Sequence, residues 1–446
     1  MSTPTKTLPS IAQPLEQLLA LGRERAATEG RPVLVSLVQR VDWPLSPVET
    51  FAAGKRLGLE RAFWGCPSER FRLVGLDTAA TIALHGPEPI LQSRRVWRRL
   101  LERAVVEGEA VKGTGPLLLG GYRFDPLAAP DRTWDGFPDA RLILPGLLFT
   151  WAGDQVWLTA NCVVGAPPAR AFPALGSAAG IATRLEQMLR SLTEGGPPAQ
   201  GQPAGTLVDE TSAMEWESRV GEALRAIAVG EMSKVVLSRR KTLQGVAPFS
   251  VEAAIARLEH ANPRCAVFAF ESAEACFLGA SPESLARLTN GEMSLTCMAG
   301  TTARGASPEA DDVLARRLLA DSKERREHAA VVGQVAEGVR NLCSDLYWDA
   351  CPKVARLGNV QHLATSFFGR VLEGKDLLDL AAALHPTPAV GGAPKAIARE
   401  AIRRLEGDRG WYGAPVGWVD AMGEGELWVG IRSALVRGDR AVLFAG

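Results

Sequence analysis

Residues 141–160 hold three short apolar runs, 141–145, 147–151 and 155–160, separated by turn-prone residues. Runs this short and this close pair most readily as antiparallel neighbours, because a parallel return needs a crossover of about a dozen residues or more. The stretch therefore commits the chain to antiparallel sheet, and similar runs recur at 32–38, 71–76, 116–121, 234–239, 265–270 and 276–279. Helical spacing is clearest over about 10–30, where Ile11, Leu15, Leu18, Leu19 and Ala26 share a face. A second helix is expected over about 92–107. There Arg94, Arg95, Arg98 and Arg99 alternate with Val96, Trp97, Leu100 and Leu101, as on an amphipathic helix with a solvated face. Ser212 and Glu215 make a capping-box pattern ahead of a helix whose buried stripe is expected at Val220, Leu224 and Ile227, and Gly230 closes that helix.

The segment 193–206, Thr-Glu-Gly-Gly-Pro-Pro-Ala-Gln-Gly-Gln-Pro-Ala-Gly-Thr, reads as an exposed linker. It divides an N-terminal part, 1–205, from a C-terminal part, 206–446. Both sides are rich in strand patterns and can share sheets, so one continuous unit is expected. The N-terminal part shows no constellation that suggests chemistry and reads as scaffold.

Composition excludes several classes. With 50 basic and 50 acidic side chains the formal charge is zero, against the basic excess that nucleic-acid binding requires. No apolar window approaches the length needed to span a bilayer, and the first residues lack the apolar core of a signal peptide. The seven cysteines are scattered without a CxxC pair, which fits a reducing compartment better than a disulfide framework or a zinc site. The expectation is a cytoplasmic protein.

Chemistry concentrates after residue 230. In Asp321-Ser-Lys-Glu-Arg-Arg-Glu-His328 a helix puts Glu324 and Glu327 one turn apart on one face, with His328 adjoining. Such a pair can hold a hard divalent cation through oxygen while leaving room for waters and an anionic substrate. The plainer alternative is a solvated, charge-rich turn in which Lys323 pairs with Glu327. Lys234 stands at the mouth of a strand run, where a surface lysine is equally ordinary. Glu283 follows Ser281-Pro282 in a turn, and Ser-Pro-Glu alone is also common helix-start chemistry.

The order of these blocks carries more than any one of them. Lys-Val-Val-Leu-Ser-Arg from Lys234, Gly-Ala-Ser-Pro-Glu283, Met298-Ala-Gly-Thr301 and Lys-Glu-Arg-Arg-Glu-His328 are followed by four more. These are Gln361-His-Leu-Ala-Thr365, His385-Pro-Thr-Pro-Ala-Val-Gly-Gly-Ala-Pro-Lys395, Trp411-Tyr-Gly-Ala-Pro-Val-Gly-Trp418 and Gly430-Ile-Arg-Ser-Ala-Leu435. Together, over about 210–446, they resemble the chorismate-utilising enzymes. The resemblance implies an α/β (α+β) fold of two facing, mostly antiparallel sheets with helices outside and the active site in the cleft between them. It implies Lys234 as general base toward water, with a pKa that its site must depress, and Glu283 as general acid, with a raised pKa. It implies Mg²⁺ on Glu324 and Glu327, and a substrate pocket completed by Gly300, Thr301, Ala389, Tyr412, Arg432 and Gly446. Arg432 resembles the arginine that takes the enolpyruvyl carboxylate.

Members that transfer an amine carry threonine where this chain has Ala389, so the resemblance is closest to the isochorismate synthases, which use water. No glutaminase partner is then expected. A salicylate synthase, or a chorismate-binding protein without turnover, are the alternatives. Members of the family usually continue past the last strand as Ala-Gly-Ala-Gly and a helix bearing further Mg²⁺ carboxylates, whereas this sequence reads Val442-Leu-Phe-Ala-Gly446. On that comparison half of the metal shell is present, and weak metal binding and turnover are expected of the sequence as written.

Overall fold

The computed structural model describes residues 11–165, 181–194, 201, 203–358 and 360–446. Residues 195–200 and 202 of the 193–206 stretch lie outside the described residues. Up to residue 194 the strands are β1 (Val33–Val41), β2 (Arg61–Cys66), β3 (Phe71–Leu84), β4 (Val105–Glu107), β5 (Leu117–Tyr122), β6 (Ala140–Ala152) and β7 (Gln155–Val164). The helices there are α1 (Ala12–Glu29), α2 (Pro47–Arg56), α3 (Pro89–Leu101) and α4 (Ile181–Thr193). After it come β8 (Gly205–Asp209), α5 (Ala213–Ala228), β9 (Lys234–Val235), β10 (Arg239–Gly245), α6 (Val251–Ala261), β11 (Ala266–Ser272), β12 (Ala275–Ser281), β13 (Ser284–Thr289) and β14 (Glu292–Ala303). The chain continues through α7 (Pro308–Ala320), α8 (Ser322–Val339), β15 (Cys343–Trp348), β16 (Lys353–Arg356), β17 (Val360–Val371) and α9 (Leu377–Leu384). It finishes with β18 (Gly392–Ala393), α10 (Lys395–Glu406), β19 (Pro415–Asp420), β20 (Gly425–Val429), β21 (Ser433–Arg437) and β22 (Arg440–Ala445).

Two sheets share β3 and β6. The first runs β4-β1-β7-β6-β3-β2-β11-β12-β21-β22-β10-β8, antiparallel throughout except for β1 beside β4. The second runs β3-β6-β5-β19-β20-β13-β14-β17, with β15 and β16 on the far side of β17. The branch lies within β6, whose residues 147–152 pair with β7 and whose residues 140–143 pair with β5. There the β3 register shifts between Thr78 and Ala80, beside Asp77 at φ 60°, and β6 passes through Pro145-Gly146. A bulge increases local bend and twist, so one strand pair can serve two sheets. The runs at 141–145 and 147–151 are thus one bent strand, not two.

An aromatic layer fills the space between the sheets. Trp64, Phe268 and Phe277 from the first meet Leu119, Val416 and Trp418 from the second. Trp418 is 1% exposed, and truncating such a side chain to alanine costs about 3–5 kcal/mol. Helices α1, α2, α4 and α6 cover the outside of the first sheet, and α3, α8 and α9 that of the second.

The arginine-rich helix ends at Leu101 and its charged face is not simply solvated. Arg94 Nε and Arg98 Nη2 reach Asp376 Oδ2 at 2.7 and 2.8 Å, and Asp376 caps α9. The 234–239 run is also not one strand. Lys234–Val235 pairs with Gly392–Ala393 of β18, the chain then leaves that ladder, and Arg239 begins β10 beside β22. No helix begins at Ser281-Pro282-Glu283, which instead links β12 to β13. No helix among the described residues is long and apolar enough to cross a membrane.

Candidate active site

A cavity of about 700 Å³ opens at one end of the inter-sheet cleft, and all ten residues singled out from the sequence line it. Lys234 enters from β9, Glu283 from the β12–β13 link, and Gly300 and Thr301 from β14. Glu324 and Glu327 come from the start of α8, and Ala389 from the loop after α9. Tyr412, Arg432 and Gly446 close the remaining wall.

Glu283 is fixed before any ligand arrives. Its amide donates to Ser281 Oγ at 3.2 Å, its carbonyl accepts from the Val429 amide at 3.0 Å, and Thr387 Oγ1 donates to its Oε1 at 3.2 Å. The residue is buried, and burial pushes its carboxyl up to about 7, against smaller opposing pulls from the Thr387 hydroxyl and the Lys234 charge. Desolvation disfavours the charged form, so this acid keeps its proton near neutrality.

The acidic turn is built differently. Asp321 caps α8, its Oδ1 accepting from the Lys323 and Glu324 amides at 2.8 and 3.0 Å. A bulge in β14 at Gly300 turns the Thr301 amide out of the ladder to donate to Glu324 Oε2 at 3.0 Å. Gly300 stands at φ 80°, and a Cβ there would lie 3.2 Å from that oxygen, so glycine suits both backbone and contact. His328 does not join the two carboxylates. Its Nδ1 lies 3.1 Å from the Ala299 carbonyl oxygen and its Nε2 2.7 Å from Thr365 Oγ1, which pins α8 to β14 and β17, and burial lowers its pKa.

Two oxygen donors a helical turn apart, open to the cavity, suit a hard divalent cation that keeps several waters and shares its shell with an anionic ligand. Among the described residues no group of three or more His, Cys, Asp or Glu side chains is placed to cage a metal alone. Arg432 at φ 49° is exposed to the same cavity with no ion-pair partner among the described residues. Tyr412 stacks on Phe444 at 5.2 Å, and burial pushes its phenol up to about 12, so it stays a neutral donor.

Two titratable or charged residues of the lining, His362 and Arg409, have no role assigned from the sequence. His362 Nδ1 lies 2.9 Å from Thr301 Oγ1, and burial and then the Arg432 charge lower its pKa. It stands inside the quoted 361–365 block. Arg409 is buried beside Tyr412, and its only local signal is its place two residues before Trp411.

A family model described as chorismate binding enzyme matches residues 20–446. The chain belongs to that family. It is 36% identical over 431 residues to the salicylate biosynthesis isochorismate synthase of Pseudomonas aeruginosa, covering 96% of this chain and 87% of that one. Isochorismate synthase MenF of Bacillus subtilis is 32% identical over 434 residues, covering 95% and 89%. Among solved structures, the menaquinone-specific isochorismate synthase of Escherichia coli superposes with a TM-score of 0.78 at 23% identity, covering 96% and 94%. Anthranilate synthase component I of Streptococcus pneumoniae gives 0.69 at 21%, covering 84% and 86%. The family's fold is thus the two-sheet architecture described above.

Proposed function

We infer that this chain is an isochorismate synthase, an isomerase that adds water to the ring of chorismate as the ring hydroxyl departs. The observation that carries the reading is that an amine and a buried, proton-retaining carboxylic acid face one cavity, which also holds an acidic helix turn and an arginine with no ion-pair partner among the described residues. Relatives named isochorismate synthase over nearly the whole chain support the same reaction.

In this reading Lys234 accepts a proton from the attacking water while Glu283 donates one to the leaving hydroxyl, so one water enters and one leaves. An acid pushed up to about 7 suits that donation. The exchange leaves both groups in the protonation states that the reverse reaction needs, which makes the step reversible. Arg432 offers a two-pronged partner to the enolpyruvyl carboxylate, and Tyr412 with the Gly300-Thr301 backbone lines the remaining anion pocket. Glu324 and Glu327 would hold Mg²⁺, which when bound supplies positive charge for the ring carboxylate. Ala389 leaves the nucleophile's side of the pocket without a hydroxyl, as suits water.

Protein incubated with chorismate and Mg²⁺ should yield isochorismate resolved by chromatography, with the reverse reaction reaching the same ratio. Accumulation of fluorescent salicylate and pyruvate instead would replace this reading with a salicylate synthase. Binding of chorismate with no turnover would replace it with a non-catalytic binder.

A further inference from the structure

Lys234 and Ala389 belong to neither large sheet. Lys234 sits on the two-residue strand β9, whose ladder partner among the described residues is β18, three residues beyond Ala389. The two backbones run very close: a Cβ on Gly392, at φ 147°, would fall 2.2 Å from the Lys234 carbonyl oxygen. A two-stranded ribbon this short has little stability of its own. Something must hold it to the body of the protein.

Val235 packs on the small cluster of Ala226, Met232 and Ala401, and one buried ion pair ties down both sides. Arg409 Nε and Nη2 meet Glu406 Oε2 and Oε1 at 2.8 and 2.6 Å, with the two side chains 3% and 5% exposed. The remaining donors of Arg409 go to backbone: Nη2 to the Val236 carbonyl at 2.6 Å, and Nη1 to the Val390 carbonyl at 2.7 Å. Val236 is two residues past Lys234, and Val390 directly follows Ala389. Glu406 completes the grip on the Lys234 side, accepting from the Ser238 amide at 2.7 Å and the Ser238 hydroxyl at 2.6 Å.

The pair is itself held. Glu406 ends α10, and Asp408, beside Arg409, is buried against Arg123 Nε at 2.9 Å. Phe124 lies under the Arg409 guanidinium, 4.6 Å from ring centroid to its carbon. A rigid scaffold element thus reaches the ribbon through one planar fork whose geometry lysine cannot reproduce.

We propose that Arg409 and Glu406 are positioning residues of the site, together setting the distance between the amine of Lys234 and the Ala389 loop. This rests on the function proposed above for Lys234 and Ala389. A lost prong shifts the ribbon, and displacements of about 1 Å at reacting groups cost up to about a hundredfold in rate.

Arg409→Gln strands a buried carboxylate and can unfold the protein, so the informative variants are Arg409→Lys and Ser238→Ala. Arg409→Lys should lower kcat by about 10- to 100-fold with KM for chorismate within about threefold. Ser238→Ala, which removes one hydroxyl contact, should lower kcat less and in the same direction. Amide hydrogen exchange should speed up in 234–238 and 389–393 in both variants while α9 stays protected. Unchanged kcat and exchange in both variants, or exchange rising equally through α9, would overturn the proposal. If wild-type protein makes no isochorismate yet the two segments loosen as described, the clamp stands and the assigned reaction falls.

Discussion

Glu283 and the Glu324–Glu327 turn face the same cavity yet meet opposite electrostatic settings. Glu283 is enclosed by two strands and a threonine hydroxyl, and burial outweighs the lysine nearby, so its proton is held to about 7. Glu327 lies exposed on the helix surface, and Glu324 takes an amide from the β14 bulge. One residue type therefore stands buried and proton-holding on one wall and open to the cavity on another. Burial decides which, and sequence spacing alone does not.

The largest expected break in that contrast is chemical. Glu283→Gln should cut kcat by about 10²–10⁴-fold, with chorismate binding retained by calorimetry, because the isostere cannot donate a proton. A variant within threefold of wild type would remove Glu283 from the chemistry.

The second is thermodynamic and independent of substrate. Glu283 has a folded pKa of about 7, above its ordinary 4.5, so the stability tied to its proton is complete below about pH 4.5 and is lost as pH rises toward 7. Wild type should lose on the order of 3 kcal/mol relative to Glu283→Gln between pH 4.5 and pH 8, read from denaturant unfolding at each pH. Parallel stability curves would show that the acid is not held protonated.

The third concerns the open pair. Glu324→Gln and Glu327→Gln should each raise the Mg²⁺ concentration for half-maximal activity by at least about tenfold, with little change in Tm. An unaltered metal titration would leave those carboxylates as a solvated helix turn.

The smallest effect tests the scaffold of that turn. Asp321→Ala removes the cap of α8 and should cost about 1 kcal/mol by thermal unfolding. A neutral result would mean that the first turn is held by Thr301 and His328 alone.

What could be read from the sequence was what is local or what recurs as ordered blocks. The Ser212–Glu215 capping box forms as read, since both partners lie within one turn, but the helix buries Ala223 and Ala226 and leaves Leu224 of the expected stripe exposed, because what covers a face is set by remote elements. The ordered motifs point to ten residues, and one cavity gathers all of them. The break after Val235 was hidden because Arg409 and Glu406, about 170 residues away, take the hydrogen bonds that a continuing ladder would use. Arg94 and Arg98 looked solvated because Asp376 is equally remote in sequence. Arg123 sits in a stretch read as pure scaffold, yet its carboxylate partner neighbours the ion pair beside the cavity.

The branched sheet has a consequence for biosynthesis. β2 finds its neighbour β11, and β5 its neighbour β19, only after roughly two hundred and three hundred further residues have been translated. At ordinary elongation speeds the nascent chain therefore carries two unmatched, largely apolar edges for roughly 10 to 60 seconds, an interval in which a holding chaperone has something to grip.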